Sequence, residues 1–188
     1  MSVVLIAALA FAQAPTYVPS ETRVLIVPPM NTSGDKYEEM KQNQIDEARK
    51  TLRSRFADRG FQVVSEEESA QVFKDSGVDF ADEENHRKEP LYKMGEAAHA
   101  RLVVFTVIER TYQKKTERLL GESLEGFAAL KTWLLDVEEK KAILSAAKFE
   151  AKSSRNANTG SLKQIRAVRL GLDEQLKEFF KPYPVLKK

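Results

Sequence analysis

The chain contains no cysteine, and this absence excludes several kinds of chemistry at once. Disulfide bonds, thiolate metal ligands, thiol nucleophiles and lipid-modified cysteines all need that residue. Histidine and tryptophan are also scarce, with two residues and one residue respectively. A chain of 188 residues can nevertheless bury a core of ordinary size. The sequence therefore predicts a protein that tolerates an oxidising compartment and depends on its own hydrophobic core.

An excess of charge of one sign is also missing, because 30 lysine and arginine residues nearly balance 28 aspartate and glutamate residues. A dedicated nucleic-acid binder carries a clustered basic surface. The basic residues Lys114, Lys115 and Arg118 are instead interleaved with Glu109 and Glu117. Acidic side chains at those positions weaken any continuous track for phosphates. We therefore expect no nucleic-acid partner.

Charged side chains are absent from residues 1–20, where residues 3–12 form an apolar run of the length of a signal-peptide core. The run is too short for a membrane span, which takes about 20 apolar residues. Cleavage after Ala12 is favoured over the alternative after Ala14, because a proline follows Ala14. The chain then divides into a signal peptide, a short extended lead and a single domain: 1–12, 13–22 and 23–188. This division predicts a periplasmic or secreted protein.

One feature of a signal peptide is missing, because no lysine or arginine precedes the apolar run. A second interpretation therefore stays open, in which the run is a buried first strand or helix of the domain. Sequencing the mature N-terminus separates the two interpretations.

Hydrophobic periodicity predicts alternating strands and helices after the lead. The predicted strands are 23–27, 61–64, 102–108 with a polar extension towards Lys114, and two that form an antiparallel hairpin, 127–137 and 142–151. The predicted helices are 35–59, 66–75, one that starts at Pro90 and one that starts at Ser161. We expect an α/β (α+β) fold, with a mixed β-sheet of about five strands packed by three to four helices. The expected order is β-α-β-α-α-β-β-β-α.

Local signals add detail to these elements. Tyr37 falls on the apolar stripe of the first helix, and Gly60 is placed to end that helix. Ser65 with Glu68 three residues later predicts a capping box for the second helix. Gly95 predicts a close approach of the third helix to its neighbour. The single tryptophan, Trp133, is expected to pack on the inner face of the hairpin.

Residues 23–34, with the sequence RVLIVPPMNTSG, resemble the opening signature of the curli-secretion-channel-like superfamily. That signature is a strand, then Pro, an aromatic residue, Asn, and Thr or Ser. The superfamily includes lipoprotein activators of penicillin-binding proteins and the amino-terminal domain of the Tol translocation protein. Residues 59–64 resemble its corner between helix and second strand, and residues 95–107 resemble the segment that leads into its central strand. These motifs specify turns and packing, so the resemblance implies a fold and not an activity.

Four positions depart from the pattern of that group. The group often has an aromatic residue where this chain has Pro29, and Gly or Asn where it has His99. It has Asp at the position of Arg101 and often Gly at that of Thr106. The cysteine that carries the lipid anchor common in the group is absent as well. Pore-forming members need long membrane-spanning hairpins, and residues 113–125 are too short and too charged to supply one. We expect no channel and no stable membrane insertion after cleavage.

A weak anion site is suggested by Asn31, Ser33 and Gly34, which lie between a strand and a helix. Free backbone amides at such a position often bind phosphate. No phosphate-loop or dinucleotide motif accompanies them, and Ser33 or Asp35 is explained as the cap of the long helix.

A weak metal site is suggested by Asp79, Asp82 and His86 in an oxygen-rich acidic segment. The spacing of a calcium-binding loop is absent, and a solvated acidic loop explains these residues equally well. No nucleophile elbow or catalytic triad spacing occurs either. A protein that binds a small ligand, a nucleotide or a divalent cation, with or without catalysis, stays the alternative function.

The sequence as a whole predicts an envelope accessory module that is not an enzyme and needs no cofactor. It is expected to bind an envelope protein or to associate with copies of itself after export. The strand that continues past residue 108 offers polar and aromatic side chains for such a contact. The candidate contact residues are Tyr112, Lys114, Lys115 and Arg118.

Overall fold

The computed structural model describes residues 17–79, 82, 87–118, 121–152 and 160–186, with side chains described outside 116–124, 145–152 and 160–162. The expected signal peptide and its cleavage site lie outside the described residues. Strands are β1 (Arg23–Ile26), β2 (Met30–Asn31), β3 (Gln62–Val63), β4 (Leu102–Arg118), β5 (Gly121–Asp136) and β6 (Lys141–Lys152). Helices are α1 (Glu38–Ala57), α2 (Glu66–Asp75), α3 (Lys88–Ala97), α4 (Gly160–Gln175) and α5 (Lys177–Phe180).

The sheet is mixed, as the sequence predicts, and its strand order is β3-β1-β4-β5-β6. Strand β1 pairs in parallel with β3 and with β4, and β2 pairs in parallel with β4 further along that strand. The pairs β4 with β5 and β5 with β6 are antiparallel. The predicted hairpin is therefore confirmed. The short strand β2 was not predicted, because it is too short to show a period. Residues 177–180 were predicted as the end of a single last helix, which the structure interrupts at Leu176 to give α4 and α5.

Both faces of the sheet are covered by helices, which explains the continuous apolar run in β4. Leu102, Val104 and Ile108 belong to the core shared with α1 and α4. The alternate residues, from Val103 to Val107, belong to the core shared with α3. Strand β4 is thus the central strand that its composition predicts.

One departure from the superfamily pattern, Thr106, and the single tryptophan both lie in this core. Thr106 is fully buried, and its hydroxyl lies 3.1 Å from that of Thr132. The Thr132 hydroxyl donates to Gln175 Oε1 at 2.7 Å, so the buried hydroxyls have partners. Trp133 is also buried and stacks on Phe105 with ring centroids 5.4 Å apart. The expectation for the single tryptophan is confirmed.

The start of α1 differs from the prediction. The helix begins at Glu38, its N-cap is Tyr37, and no side chain caps it. The proposed capping by Ser33 or Asp35 is therefore wrong, although Asp35 Oδ1 accepts from the Tyr37 amide at 3.4 Å. Tyr37 is not part of the buried stripe either, because 73% of it is exposed. Gly60 does end this region as predicted, with a φ of 86°.

The start of α2 confirms half of the predicted capping box. Ser65 Oγ accepts from the amide of Glu68 at 3.1 Å, and the helix spans the predicted residues. The Glu68 carboxylate does not turn back to complete the box. It binds Arg23 Nη2 at 2.5 and 2.6 Å instead. A charged guanidinium is a stronger donor than a backbone amide, so this contact wins.

Helix α3 begins at Lys88, two residues before the predicted Pro90, which the first turn of a helix tolerates. Gly95 lies against the sheet, because a Cβ there would be 2.5 Å from a methyl group of Val137 and 2.6 Å from one of Val103. The predicted close approach is confirmed. None of the described helices is long and apolar enough to cross a membrane.

The described chain is already anchored at Tyr17, well before β1. Tyr17 is 3% exposed, and its hydroxyl donates to Asp136 Oδ2 at 2.7 Å. Its backbone amide donates to the hydroxyl of Tyr183 at 2.9 Å. Burial raises the pKa of Tyr17, and the hydrogen bond to Asp136 raises that pKa further. The last residues of the lead are therefore part of the folded domain.

The end of α3 yields a prediction about stability. His99 is exposed and has a φ of 48°, a left-handed conformation that glycine adopts without strain. The amide of Ala100 donates to Gly95 O at 2.8 Å, and that of His99 donates to Glu96 O at 3.0 Å. This is the Schellman pattern, in which glycine is usual. His99→Gly should raise the free energy of unfolding by about 1 kcal/mol in urea denaturation.

The matched control is Lys93→Gly, which places glycine at an exposed position inside the same helix. That substitution should lower the free energy of unfolding by about 1 kcal/mol. Equal losses for both variants would show that strain at His99 is not a cost to the fold.

Candidate interaction cleft

Strands β4 and β5 form a ribbon that projects beyond the other strands. They pair along their whole length, from Leu102 opposite Asp136 to Arg118 opposite Gly121. In the part of the chain that the structure describes, the pairing of β1 and β2 with β4 ends at Ile108, and the pairing of β6 with β5 ends at Phe127. The predicted extension past residue 108 is confirmed and runs further than expected. We call residues 113–118 with 121–126 the ribbon.

A β-bulge sets which side chains share a face at the base of the ribbon. The register of β4 against β5 shifts between Ile108 and Arg110, and Glu109 is the extra residue. Such a bulge redirects the residues that follow it. After it, Thr111 faces α1, where its hydroxyl accepts from Gln44 Nε2 at 3.2 Å. Arg110 and its alternate neighbour Tyr112 therefore lie on the opposite face.

That opposite face carries aromatic rings and cations. Tyr112 stacks on Phe127 across the two strands, with centroids 4.6 Å apart and an interplanar angle of 1°. The Arg110 guanidinium lies 5.2 Å from the Tyr112 centroid, a cation–π distance. The second core cluster includes no residue of β4 beyond Val107. Among the described residues, the α2 and α3 layer thus ends before this stacked pair.

A cleft lies beside Tyr112, at the edge of β4. Its volume is about 570 Å³, and it is bounded by residues 34–37, residues 110–112 and Gln164 of α4. Tyr37 is the most exposed of the large apolar residues described, at 73%. We call this site the tyrosine cleft. It brings together Gly34, a predicted anion-site residue, and Tyr112, a predicted contact residue.

A chain of three hydrogen-bonded side chains, with the buried Gln44 at its centre, holds the walls of the tyrosine cleft together. Asn31 Nδ2 donates to Gln44 Oε1 at 2.6 Å, and Gln44 continues to Thr111. Gln44 has no exposed surface. Because Asn31, Gln44 and Thr111 belong to β2, α1 and β4, this chain fixes the three elements relative to one another.

The other anion-site candidates lie apart from the helix start. Asn31 Oδ1 accepts from the amide of Ser33 at 3.0 Å, and Ser33 is buried. Helix α1 begins later, and its first turn carries Glu38 and Glu39. Acidic side chains at that end of a helix compete with an anion for the same dipole. Of the three candidates, Gly34 alone lines the tyrosine cleft.

The remaining candidates are placed as follows. Asp79 and Asp82 are close in the chain, with the Asp82 amide 3.3 Å from Asp79 O, and His86 lies outside the described residues. In the part of the chain that is described, no three His, Asp or Glu side chains are grouped to hold a metal ion. The metal site stays a prediction. Lys114 and Lys115 are exposed on β4, and Arg118 ends that strand.

Sequence reasoning missed Tyr37 and Arg110 as members of the site. Tyr37 fits the spacing of the apolar stripe of the first helix, so the sequence pattern predicted a buried side chain where the structure has an exposed one. The turn-forming segment 34–36 before it was the available signal for a later helix start. No local signal marks Arg110, because the bulge that orients it depends on pairing with β5.

No protein-family model matches the chain, and no curated protein matches it either. Solved structures do. The lipoprotein GNA1162 from Neisseria meningitidis is 18% identical with a TM-score of 0.49, covering 84% of this chain and 99% of that one. The LpoB C-terminal domain from Salmonella enterica is 14% identical with a TM-score of 0.45, covering 73% and 86%.

PelC from Paraburkholderia phytofirmans, solved as a dodecamer, is also similar in structure. It is 14% identical with a TM-score of 0.45, covering 86% of this chain and 93% of that one. These are similarities of fold only, at under 20% identity and with TM-scores below 0.5. The protein is a mixed α+β domain with an open sheet.

Proposed function

We propose that this chain is an exported envelope accessory protein that binds another protein, and that the tyrosine cleft is its contact site. The observation that carries the proposal is the exposed Tyr37 facing the same cleft as Tyr112 and Arg110. Tyrosine and arginine are the residue types that dominate binding energy at protein interfaces. The chain of hydrogen-bonded side chains behind the cleft keeps its walls in place before binding, which lowers the entropy cost of association.

The tyrosine cleft carries charges of both signs. Lys36 and Arg110 line it, and Lys114 and Lys115 are exposed on the adjoining strand. Asp35 also lines it, and Glu38 and Glu39 begin α1 directly after Tyr37. A partner with the complementary pattern of charges would associate faster and in one orientation.

The proposed role is binding and not catalysis. The Thr111 hydroxyl is held by Gln44, and the Asp35 carboxylate accepts from a backbone amide. Neither side chain is paired as a nucleophile with a base, which is the arrangement that covalent catalysis needs. Export through the expected signal peptide belongs to the same proposal, because the sequence resembles a superfamily of envelope proteins.

Site-specific photocrosslinking in the native cell tests this proposal. A photoreactive residue in place of Lys36 should capture one envelope protein, whereas the same residue in place of the exposed Lys74 on α2 should not. Tyr37→Ala and Arg110→Glu should each lower the yield of that product about tenfold, the effect of losing one interface hot spot.

The matched control for Tyr37→Ala is Val185→Ala, which shortens another exposed side chain, 56% exposed. It should leave the product unchanged. Equal capture from both crosslinker positions would contradict the proposal, and so would indifference to Tyr37→Ala. A rise in melting temperature with a nucleotide or a divalent cation would favour the alternative of a small-ligand protein.

A further inference from the structure

A second cavity, lined mainly by apolar side chains, lies away from the tyrosine cleft. Its volume is about 340 Å³, and it opens between β6, the α4–α5 corner and the lead. Its wall includes Tyr17, Ile143, Leu144, Phe179 and Tyr183. It adjoins Leu134, near the turn end of β5, whereas the tyrosine cleft lies towards the ribbon end. We call this cavity the apolar hollow.

The polar groups in its wall are already engaged with the protein. Gln175 accepts from the Thr132 hydroxyl at 2.7 Å and donates to Leu130 O at 3.4 Å. The Tyr17 hydroxyl donates to Asp136, and the Tyr183 hydroxyl accepts from the Tyr17 amide. A polar guest would find few further partners there, so most of its polar groups would lose their bonds to water without replacement. The inner part of the hollow therefore suits an apolar guest.

The rim and the size narrow the class of guest further. Glu178 and Lys181 form an ion pair of 3.7 Å at the rim, and both side chains are at least 76% exposed. Because these two charges neutralise each other, the rim favours neither a positive nor a negative polar end on the guest. The volume of about 340 Å³ is over twice the roughly 150 Å³ of an apolar cavity that binds benzene. It also falls in the range of small-molecule pockets, about 300–1,000 Å³.

We infer that the apolar hollow binds the hydrocarbon chain of a small amphiphile, with the polar end of that molecule at the Glu178 and Lys181 rim. A hydrocarbon chain can fill an apolar space of this volume while its head group stays in water. This binding site is separate from the proposed function, since none of its lining residues lines the tyrosine cleft.

Displacement of a fluorescent probe tests the inference with the full chain. N-phenyl-1-naphthylamine should bind at one saturable site, and hexanol, octanol and decanol should displace it. Affinity should rise about fourfold for each added methylene until the hollow is full. Ile143→Phe extends a side chain of the wall, so it should weaken decanol binding at least tenfold.

The matched control is Val18→Phe, the same kind of enlargement at a position that is 51% exposed and outside the wall of the hollow. It should leave decanol binding unchanged. Phe179→Leu enlarges the hollow and should shift the best-binding alcohol to a longer chain, which keeps the test decisive if Ile143→Phe misfolds. Circular dichroism checks the fold of each variant.

A second experiment distinguishes whether the bound hydrocarbon chain comes from a bilayer lipid or from a soluble amphiphile. If the unmodified protein floats with phosphatidylcholine vesicles and Ile143→Phe floats less, bilayer lipid is the source of the hydrocarbon chain. The apolar N-terminal run is the same in both proteins, so it does not account for such a difference. Displacement by free decanol with unchanged flotation would identify a soluble amphiphile. Absence of saturable binding would overturn the inference. Equal decanol affinity in Ile143→Phe and the unmodified chain would overturn it as well.

Discussion

Replacing Gly126 by alanine should lower the free energy of unfolding by about 3 kcal/mol, the upper end of the usual cost of overpacking. A Cβ at this position would lie 2.3 Å from the carbonyl carbon of Lys163 and 2.5 Å from its oxygen. Backbone atoms cannot turn aside as a side chain can. Helix α4 would therefore have to move, and its buried Val168 and Leu172 would lose part of their packing.

Urea denaturation measures this loss, and Gly34→Ala is the matched control. A Cβ at Gly34 meets no atom within 4 Å, so that variant should change stability by less than about 0.5 kcal/mol. Because Gln164 at the start of α4 lines the tyrosine cleft, Gly126→Ala should also lower partner crosslinking. Equal stability of the two variants would show that α4 does not rest on Gly126.

Elements that depend on local signals were predictable from the sequence. Helix α2 has its cap at Ser65 and its stop at Gly77 within a few residues, and its observed bounds equal the predicted ones. The central run of β4 was predictable because burial on both faces leaves a continuous apolar stretch. The hairpin of β5 and β6 was predictable from two strand-like segments around a charged turn.

Elements that depend on distant pairing were not predictable. Strand β5 begins at Gly121, earlier than the predicted residue 127, in a polar segment with two glycines. That composition favours a turn, and pairing with β4 overrides it. Gly126 illustrates the point, because its missing side chain serves the packing of α4 and not a turn.

The tyrosine cleft was predictable only in part, for the same reason. Tyr112 was found because it follows the central strand with polar neighbours. Its neighbour in the cleft, Tyr37, comes from a segment far away in the chain, and their proximity depends on β2 pairing with β4. Asn31 was singled out as an anion-site residue, whereas in the structure its side-chain amide bonds to Gln44 and so helps to hold the wall of the tyrosine cleft. Patterns in a single sequence do not show which distant segments of the chain come into contact.

Asp136→Ala should lower the free energy of unfolding by about 3 kcal/mol, because it removes a fully buried charged acceptor and leaves its donors unsatisfied. Asp136 has no exposed surface and accepts from the Tyr17 hydroxyl at 2.7 Å and the Glu139 amide at 3.1 Å. Arg101 Nε lies 3.6 Å from the same carboxylate. The alanine variant leaves the buried Tyr17 hydroxyl and the Arg101 charge without this acceptor.

Glu138→Ala is the matched control, because Glu138 also pairs with Arg101, at 3.3 Å, but is 65% exposed. It should cost less than about 1 kcal/mol, as exposed pairs do. Alkaline pH gives a second readout. The pKa of Tyr17 is raised in the folded state, so stability should fall as pH rises above about 10, where the unfolded tyrosine ionises first. Removing Asp136 takes away one cause of that raised pKa, so the fall should end at a lower pH and be smaller in total, whereas Glu138→Ala should leave it unchanged.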